Sequence, residues 1–233
     1  MSQNNFPLLL LPGLACTADL FADQLATLGA DFQISVADPT GFATIEDLAG
    51  AILKDAPGEF ALAGLSMGGY LAFEIIRQAP ERVLRLALLD TNARADTAEK
   101  YMLRQDALAL VRQGKLDLMT RTTMDLSIAP SRHSDQGLKN RILKMAQDIG
   151  PQDWIRQTHA IMGRPDSRPM LSRISCPTIV VVGEQDQLTP PDQAREMAGL
   201  IPGAVLHVLA DCGHMSTMEQ PDQVNRLLSG WLA

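Results

Sequence analysis

Three residues far apart in this chain carry the side-chain types that together can break an acyl bond: Ser66, Asp186 and His214. Ser66 sits in Gly64-Leu65-Ser66-Met67-Gly68, between a short apolar run, Phe60 to Ala63, and a helix-like segment from Met67 to about Ala79. That is the G-x-S-x-G pattern of a nucleophile elbow, a tight strand-to-helix turn that presents the serine hydroxyl. Strand and helix pass so close there that a Cβ two residues either side of the serine would collide, and Gly64 and Gly68 remove both collisions. A serine hydroxyl is too weakly acidic to attack unaided. An imidazole must take its proton, and a carboxylate must hold that imidazole in the correct tautomer. Asp186, in Gly183-Glu184-Gln185-Asp186, and His214, in Asp211-Cys212-Gly213-His214, supply those two types in the chain order Ser, Asp, His. Asp90 is a rival acid, because it too closes an apolar run.

The elements that must position these residues alternate. Phe6 to Leu11 reads as a buried strand stopped by Pro12-Gly13, followed by a helix from about Asp19 to Leu28. Phe32 to Ala37 is a second strand, and Thr44 caps a helix that runs to about Ala56. The helix after the elbow ends near Ala79-Pro80, and Val83 to Leu89 forms the next strand. A strand resumes at Pro177 to Gly183. A helix over Pro190 to Leu200 follows, with Thr189 as cap and Pro190 in its first position. Ala204 to Leu209 and an amphipathic helix over Pro221 to Leu232 close the chain. Strands alternating with helices imply right-handed crossovers and a mostly parallel sheet of about six strands, with helices on both faces. The expected core is residues 1–93 and 174–233. Residues 94–173 show helical periodicity and no convincing strand, so they read as several short helices inserted between two strands as a cap. In such a sheet the loops at the strand C-termini share one edge, and Ser66, Asp186, His214 and Pro12-Gly13-Leu14-Ala15-Cys16 all fall there.

At 233 residues, with 46% hydrophobic and 20% charged residues, the chain suits one α/β domain, or a core with an insertion. The net charge of −7 disfavours nucleic acid as a partner. Its distribution is uneven. Residues 94–173 hold 14 Lys and Arg against 9 Asp and Glu, and the remainder holds 6 against 18. A basic insert in an acidic protein suits an anionic substrate or an acidic acyl carrier, with Arg121, Arg141 and Arg156 as candidate contacts. The three cysteines are odd in number and widely spaced, which implies a reduced, cytoplasmic setting and no metal site. Cys16 and Cys212 fall near the predicted active edge, where a reactive thiol is conceivable. The only apolar run near the N-terminus, Leu8 to Leu11, is too short for a signal peptide or a membrane span. Asp38 reads as a turn residue, His207 as a packed strand residue, and His133 and His159 as insert residues without an assigned role.

With the elbow and Gly213-His214 as its most specific pieces, the chain resembles the α/β-hydrolase fold family over nearly its whole length. It is most similar to the capped branch of small serine esterases, enol-lactonases and acyl hydrolases. The resemblance implies Ser66 as nucleophile and His214 as base. It favours Asp186 over Asp90 as acid, because Gly183 and Pro190 match the family's loop. The backbone N–H groups of Leu14 and Met67 would form the oxyanion hole. Pro12 stands where relatives place a histidine, and the antiparallel strand pair that usually opens the fold is expected to be missing. The implied activity is cleavage of a carboxylic ester, lactone or thioester through an acyl-enzyme, without cofactor or metal. The same triad serves C–C bond hydrolysis and cofactor-free perhydrolysis in relatives, and a ligand-binding sensor with vestigial turnover is the alternative outside enzymology.

Overall fold

The computed structural model describes residues 6–233. Six strands form one sheet in the order β2-β1-β3-β4-β5-β6: β1 (Leu8–Leu11), β2 (Ile34–Val36), β3 (Phe60–Leu65), β4 (Val83–Leu89), β5 (Thr178–Gly183) and β6 (Val205–Leu209). Every pairing is parallel. Both faces of the central strands must therefore be covered, which is why β1, β3 and β5 read as unbroken apolar runs and are buried throughout.

Successive side chains divide between two cores. Leu9, Leu11, Leu62, Leu86, Leu88, Val180 and Val182 face a core shared with α2 (Ile45–Asp55), α3 (Met67–Gln78) and α8 (Pro191–Leu200). Leu8, Leu10, Ala61, Ala63, Ala87, Leu89, Ile179 and Val181 face the other, built with α1 (Ala22–Leu28) and α10 (Pro221–Leu232). At its far edge β6 is only partly covered, and His207 there is half-buried rather than fully packed.

The helix signals hold locally. Thr44 caps α2, its hydroxyl accepting Asp47 N–H at 3.1 Å. Four expectations need correction. Phe6 to Leu11 and Phe32 to Ala37 contract to β1 and β2, although Pro7, Gln33 and Ala37 just outside them still hydrogen-bond to neighbouring strands. The Asp19-to-Leu28 helix begins as a 3₁₀ turn over Ala18–Phe21 before α1. Thr189 is not a helix cap: α8 starts one residue later than predicted, at Pro191, and the Thr189 hydroxyl is bonded to Asp186.

The last correction concerns the insert. Between β4 and β5 the chain forms α4 (Ala98–Arg112), α5 (Leu116–Ser127), α6 (Gln136–Gly163) and the short α7 (Arg168–Leu171). The 15 residues of α4 exceed the short helices expected, whereas the 28-residue span of α6 is two shorter helices that meet at Gly150, as the sequence punctuation implies. A single break interrupts α6: Gly150 takes φ 74° and Pro151 restarts the helix. Leu108, Val111, Leu116 and Trp154 give the insert an apolar cluster of its own, against which Leu14 and Ala15 pack.

Candidate active site

Among the described residues, four non-glycine residues have positive φ: Ala15, Ser66, Asp90 and Asp211. They lie in the segments leaving β1, β3, β4 and β6, so backbone strain gathers on one rim of the sheet. The strand order reverses between β1 and β3, and in open parallel sheets the ligand crevice opens at that reversal.

Ser66 occupies the crevice with φ 56° and ψ −113°. Its strained backbone is clamped on three sides: its N–H donates to Leu89 O at 3.0 Å, and its carbonyl accepts Gly69 N–H at 2.9 Å and the Thr91 hydroxyl at 2.7 Å. The glycines are required by contact. A Cβ at Gly64 would strike the Gly68 carbonyl oxygen, and one at Gly68 would strike the Leu11 carbonyl oxygen. Gly69 leaves room for the Thr91 side chain in the same way, a third necessity that the pentapeptide pattern does not include. Met67 N–H opens α3, where the helix dipole favours negative charge, and has no hydrogen-bond partner among the described residues.

The segment after β1 lies against this turn: a Cβ on Gly13 would sit 3.4 Å from Ser66 Cβ. Gly13 to Cys16 forms a tight turn, closed by Cys16 N–H on Gly13 O at 3.2 Å, with Ala15 at φ 60°. Leu14 N–H, like Met67 N–H, is unbonded among the described residues. Ala15 N–H donates to Gln157 Oε1 at 2.9 Å, and Gln157 Nε2 donates to Pro39 O at 3.1 Å.

Asp186 and His214 are brought together from the segments after β5 and β6. These nest so closely that a Cβ on Gly183 would overlap the Gly213 carbonyl oxygen. His214 Nδ1 lies 2.8 Å from Asp186 Oδ2, so the network assigns the Nδ1–H tautomer and leaves Nε2 as the acceptor. Asp186 is itself oriented by Leu188 N–H at 2.8 Å, Thr189 N–H at 3.0 Å and the Thr189 hydroxyl at 2.7 Å. Among the described residues no hydrogen bond joins Ser66 Oγ to His214, and Ser66 is partly exposed.

The electrostatics separate the two aspartates of this rim. Burial works against the charge of Asp186, but the His214 charge and hydrogen bond and the Thr189 donors outweigh it and hold the carboxyl below its ordinary value. Asp90, fully buried, is pushed up to about 8 by burial and then by the Asp186 charge. Its Oδ1 accepts Gly183 N–H at 2.9 Å and its Oδ2 has no partner among the described residues. At neutral pH it is a protonated acid beside an ionised one. Burial disfavours protonated His214, yet the Asp186 charge and hydrogen bond, with smaller contributions from Asp90 and Glu219, raise it above its usual value.

Two residues of this region escape sequence reasoning. Glu219, on the short helix α9 (Ser216–Glu219), is buried and accepts N–H groups on both sides of His214. They come from Gly213 at 3.1 Å and Met215 at 3.0 Å, with a third from Ala129 of the insert at 2.7 Å. The other is Gln157. Gln157 acts on backbone groups 142 and 118 positions away, and Glu219 joins Ala129, 90 positions away, to its near neighbours Gly213 and Met215; neither lies in a recognisable motif.

Other candidates are placed elsewhere. Cys16 and Cys212 are free and buried; burial pushes the Cys16 thiol up to about 12 and raises that of Cys212 further, so neither is a reactive thiolate. Arg141 is ion-paired with Asp19 at 2.9 Å and Arg156 with Asp153 at 2.9 Å, while Arg121 is exposed on α5. His133 lies 3.1 Å from Asp125 O and His159 3.3 Å from Arg112; Asp38 is exposed.

Comparison with known proteins gives one consistent result. Residues 8–227 match the alpha/beta hydrolase family. A thermophilic esterase from Thermogutta terrifontis superposes with a TM-score of 0.88 at 30% identity, over 97% of this chain and 89% of that one. The enol-lactonase from Burkholderia xenovorans LB400 superposes with a TM-score of 0.87 at 24% identity, over 100% and 93%, a likeness of fold. The pimeloyl-[acyl-carrier protein] methyl ester esterase of Nitrosomonas europaea is 26% identical over 94% of this chain and 93% of its own length.

Proposed function

This chain belongs to the alpha/beta hydrolase family, and from that premise we propose that it is a serine hydrolase cleaving a carboxylic ester, lactone or thioester through an acyl-enzyme. The observation that carries the reading is the 2.8 Å contact of His214 Nδ1 with Asp186 on the rim where Ser66 holds its strained turn. Ser66 Oγ attacks the acyl carbon as His214 Nε2 takes its proton. The dyad's hydrogen bond tightens when substrate excludes water, so a loose serine without substrate suits the role. The tetrahedral oxygen gathers negative charge beside Leu14 N–H and Met67 N–H, the two unbonded donors that flank Ser66. Each such donor is worth about 3 kcal/mol of barrier lowering. His214 then gives its proton to the departing oxygen or sulfur, and water, deprotonated by the same imidazole, releases the acid.

Residues 94–173 act as a cap over this rim on a core of residues 1–93 and 174–233. Arg141 and Arg156 already hold carboxylates, so the basic insert guides anionic substrates by long-range attraction rather than by those two contacts. An ester carried on an acidic acyl carrier is the substrate class that this charge pattern suits best. The relative from Nitrosomonas europaea, whose name specifies an acyl-carrier methyl ester, supports that choice. Ser66→Ala is expected to abolish turnover of p-nitrophenyl esters and labelling by a fluorophosphonate; retained activity removes Ser66 from the role. Equal, salt-insensitive rates on charged and neutral ester pairs would remove the anionic preference.

A further inference from the structure

Ala15 is an alanine where a turn wants glycine. In the turn from Gly13 to Cys16 the residue before the closing N–H has φ 60° while Leu14 keeps a negative φ. That combination is a type II arrangement, whose third position strongly favours glycine. Left alone, the Leu14–Ala15 peptide relaxes by flipping towards the type I form, which suits alanine and turns Ala15 N–H away. Something outside the loop must hold it.

The holder is in the insert. Gln157 is fully buried on α6, 142 positions along the chain from Ala15. Its Oε1 accepts Ala15 N–H at 2.9 Å and its Nε2 donates to Pro39 O at 3.1 Å, so one carboxamide ties the segments after β1 and β2 together. One turn earlier on the same face of α6, Asp153 accepts Gly41 N–H at 2.9 Å. Leu14 and Ala15 also pack on the insert's apolar cluster around Trp154.

We propose that Gln157 is a positioning residue for the oxyanion loop, through which the seating of the helical insert holds in place the turn that carries Leu14 N–H. Gln157 touches no reacting atom. It acts by tying the strained turn to the insert and to Pro39, so its removal frees the loop that carries Leu14 N–H to shift as Ala15 relaxes, and weakens stabilisation of the tetrahedral oxygen more than binding of the ground state. The inference rests on the Ser66 acyl-enzyme reading.

The test uses kcat, KM and inhibition by an aryl trifluoromethyl ketone, whose hemiketal oxygen mimics the tetrahedral anion. Gln157→Leu is expected to lower kcat and ketone affinity together, by roughly 10- to 100-fold, with KM changed by less than about threefold. Gln157→Glu keeps an acceptor for Ala15 N–H and is expected to hold ketone affinity within about threefold of wild type. Ala15→Gly removes the cost of positive φ, so Ala15→Gly/Gln157→Leu should recover most of the loss. If Gln157→Leu alone does not fold, Gln157→Met, which also lacks the carboxamide acceptor, is read in its place with the same expected loss and the same rescue by Ala15→Gly. A change in KM or thermal stability alone, unaltered ketone affinity, loss by Gln157→Glu equal to that of Gln157→Leu, or absence of rescue by glycine overturns the proposal. Ser66→Ala separates the two failures: activity surviving it refutes the acyl-enzyme reading, whereas activity lost in it with ketone affinity unmoved in Gln157→Leu refutes only the role of Gln157.

Discussion

The sheet rim and the helical insert are fastened by different physics. On the rim, backbone meets backbone: Gly64 against Gly68, Gly68 against Leu11 and Gly183 against Gly213 leave no room for a single added carbon. The insert shares one such contact, Gly213 against Ile128 and Ala129, and packs apolar side chains into both cores, but it adds individual polar side chains that cross long sequence separations to reach backbone groups. Gln157 reaches Ala15 and Pro39, and the Arg164 guanidinium stacks 4.1 Å from the Tyr70 ring. A rim built by exclusion tolerates almost no variation. An attachment built from directed bonds can lose one and survive.

Four predictions break or sharpen that contrast, in order from the largest expected effect. Asp186→Asn is expected to lower kcat by about 10⁴-fold through the wrong imidazole tautomer. Asp90→Asn, one strand away, should leave kcat near neutral pH within about tenfold, because a protonated carboxyl resembles an amide. Steady-state kinetics on one ester decides, and equal losses would erase the distinction between the two acids. Next is Gly68→Ala, expected to destabilise by about 3 kcal/mol in urea unfolding because the added carbon meets the Leu11 carbonyl. Gly163→Ala, at an open position closing α6, should change stability by less than about 1 kcal/mol.

The third concerns pH. Asp90 is raised from 3.8 to about 8 on folding, so the folded chain binds the extra proton in that window. The stabilisation is complete at acid pH and is lost as pH rises through about 8. Asp90→Asn should flatten the decline of Tm between about pH 5 and pH 8, and an unchanged slope would place the titration elsewhere. The smallest effect belongs to the insert surface. Arg141→Ala, which breaks a half-exposed ion pair with Asp19, should cost under about 1 kcal/mol and leave KM for an anionic ester unchanged at high salt.

The same contrast explains what the sequence discloses. The turn at Ser66 is legible because its steric demands fall on immediate neighbours, Gly64 and Gly68, and are written as a local pattern. The parallel sheet is legible because strands buried on both faces must be apolar throughout. Thr189 is misread because a threonine before a proline looks like a cap, whereas its hydroxyl is used by Asp186 three residues earlier. Glu219 and Gln157 are illegible for a different reason. Their partners are backbone groups, which have no residue type, and those that join distant segments, Ala129 and Ala15, stand 90 and 142 positions away. The break at Gly150-Pro151 is legible for the reason that the turn at Ser66 is: it is written locally, with Gly150 taking φ 74° and Pro151 restarting the helix.

The insert departs from β4 and returns to β5, two strands that are hydrogen-bonded neighbours. Its two ends are pinned together by Ser167 N–H on Ala93 O at 2.8 Å. Seen from the sheet, the whole helical excursion is an appendage on a doorway about one strand spacing wide, roughly 5 Å. Its apolar side chains also enter both cores, Ile161 and Leu171 on one face and Ile128 and Ile142 on the other, so an exchange leaves the strand register alone only if it keeps those contacts. Grafting from a sister enzyme across that doorway is therefore a practical route to new substrate ranges, provided that the donor brings its own clasp for residue 15.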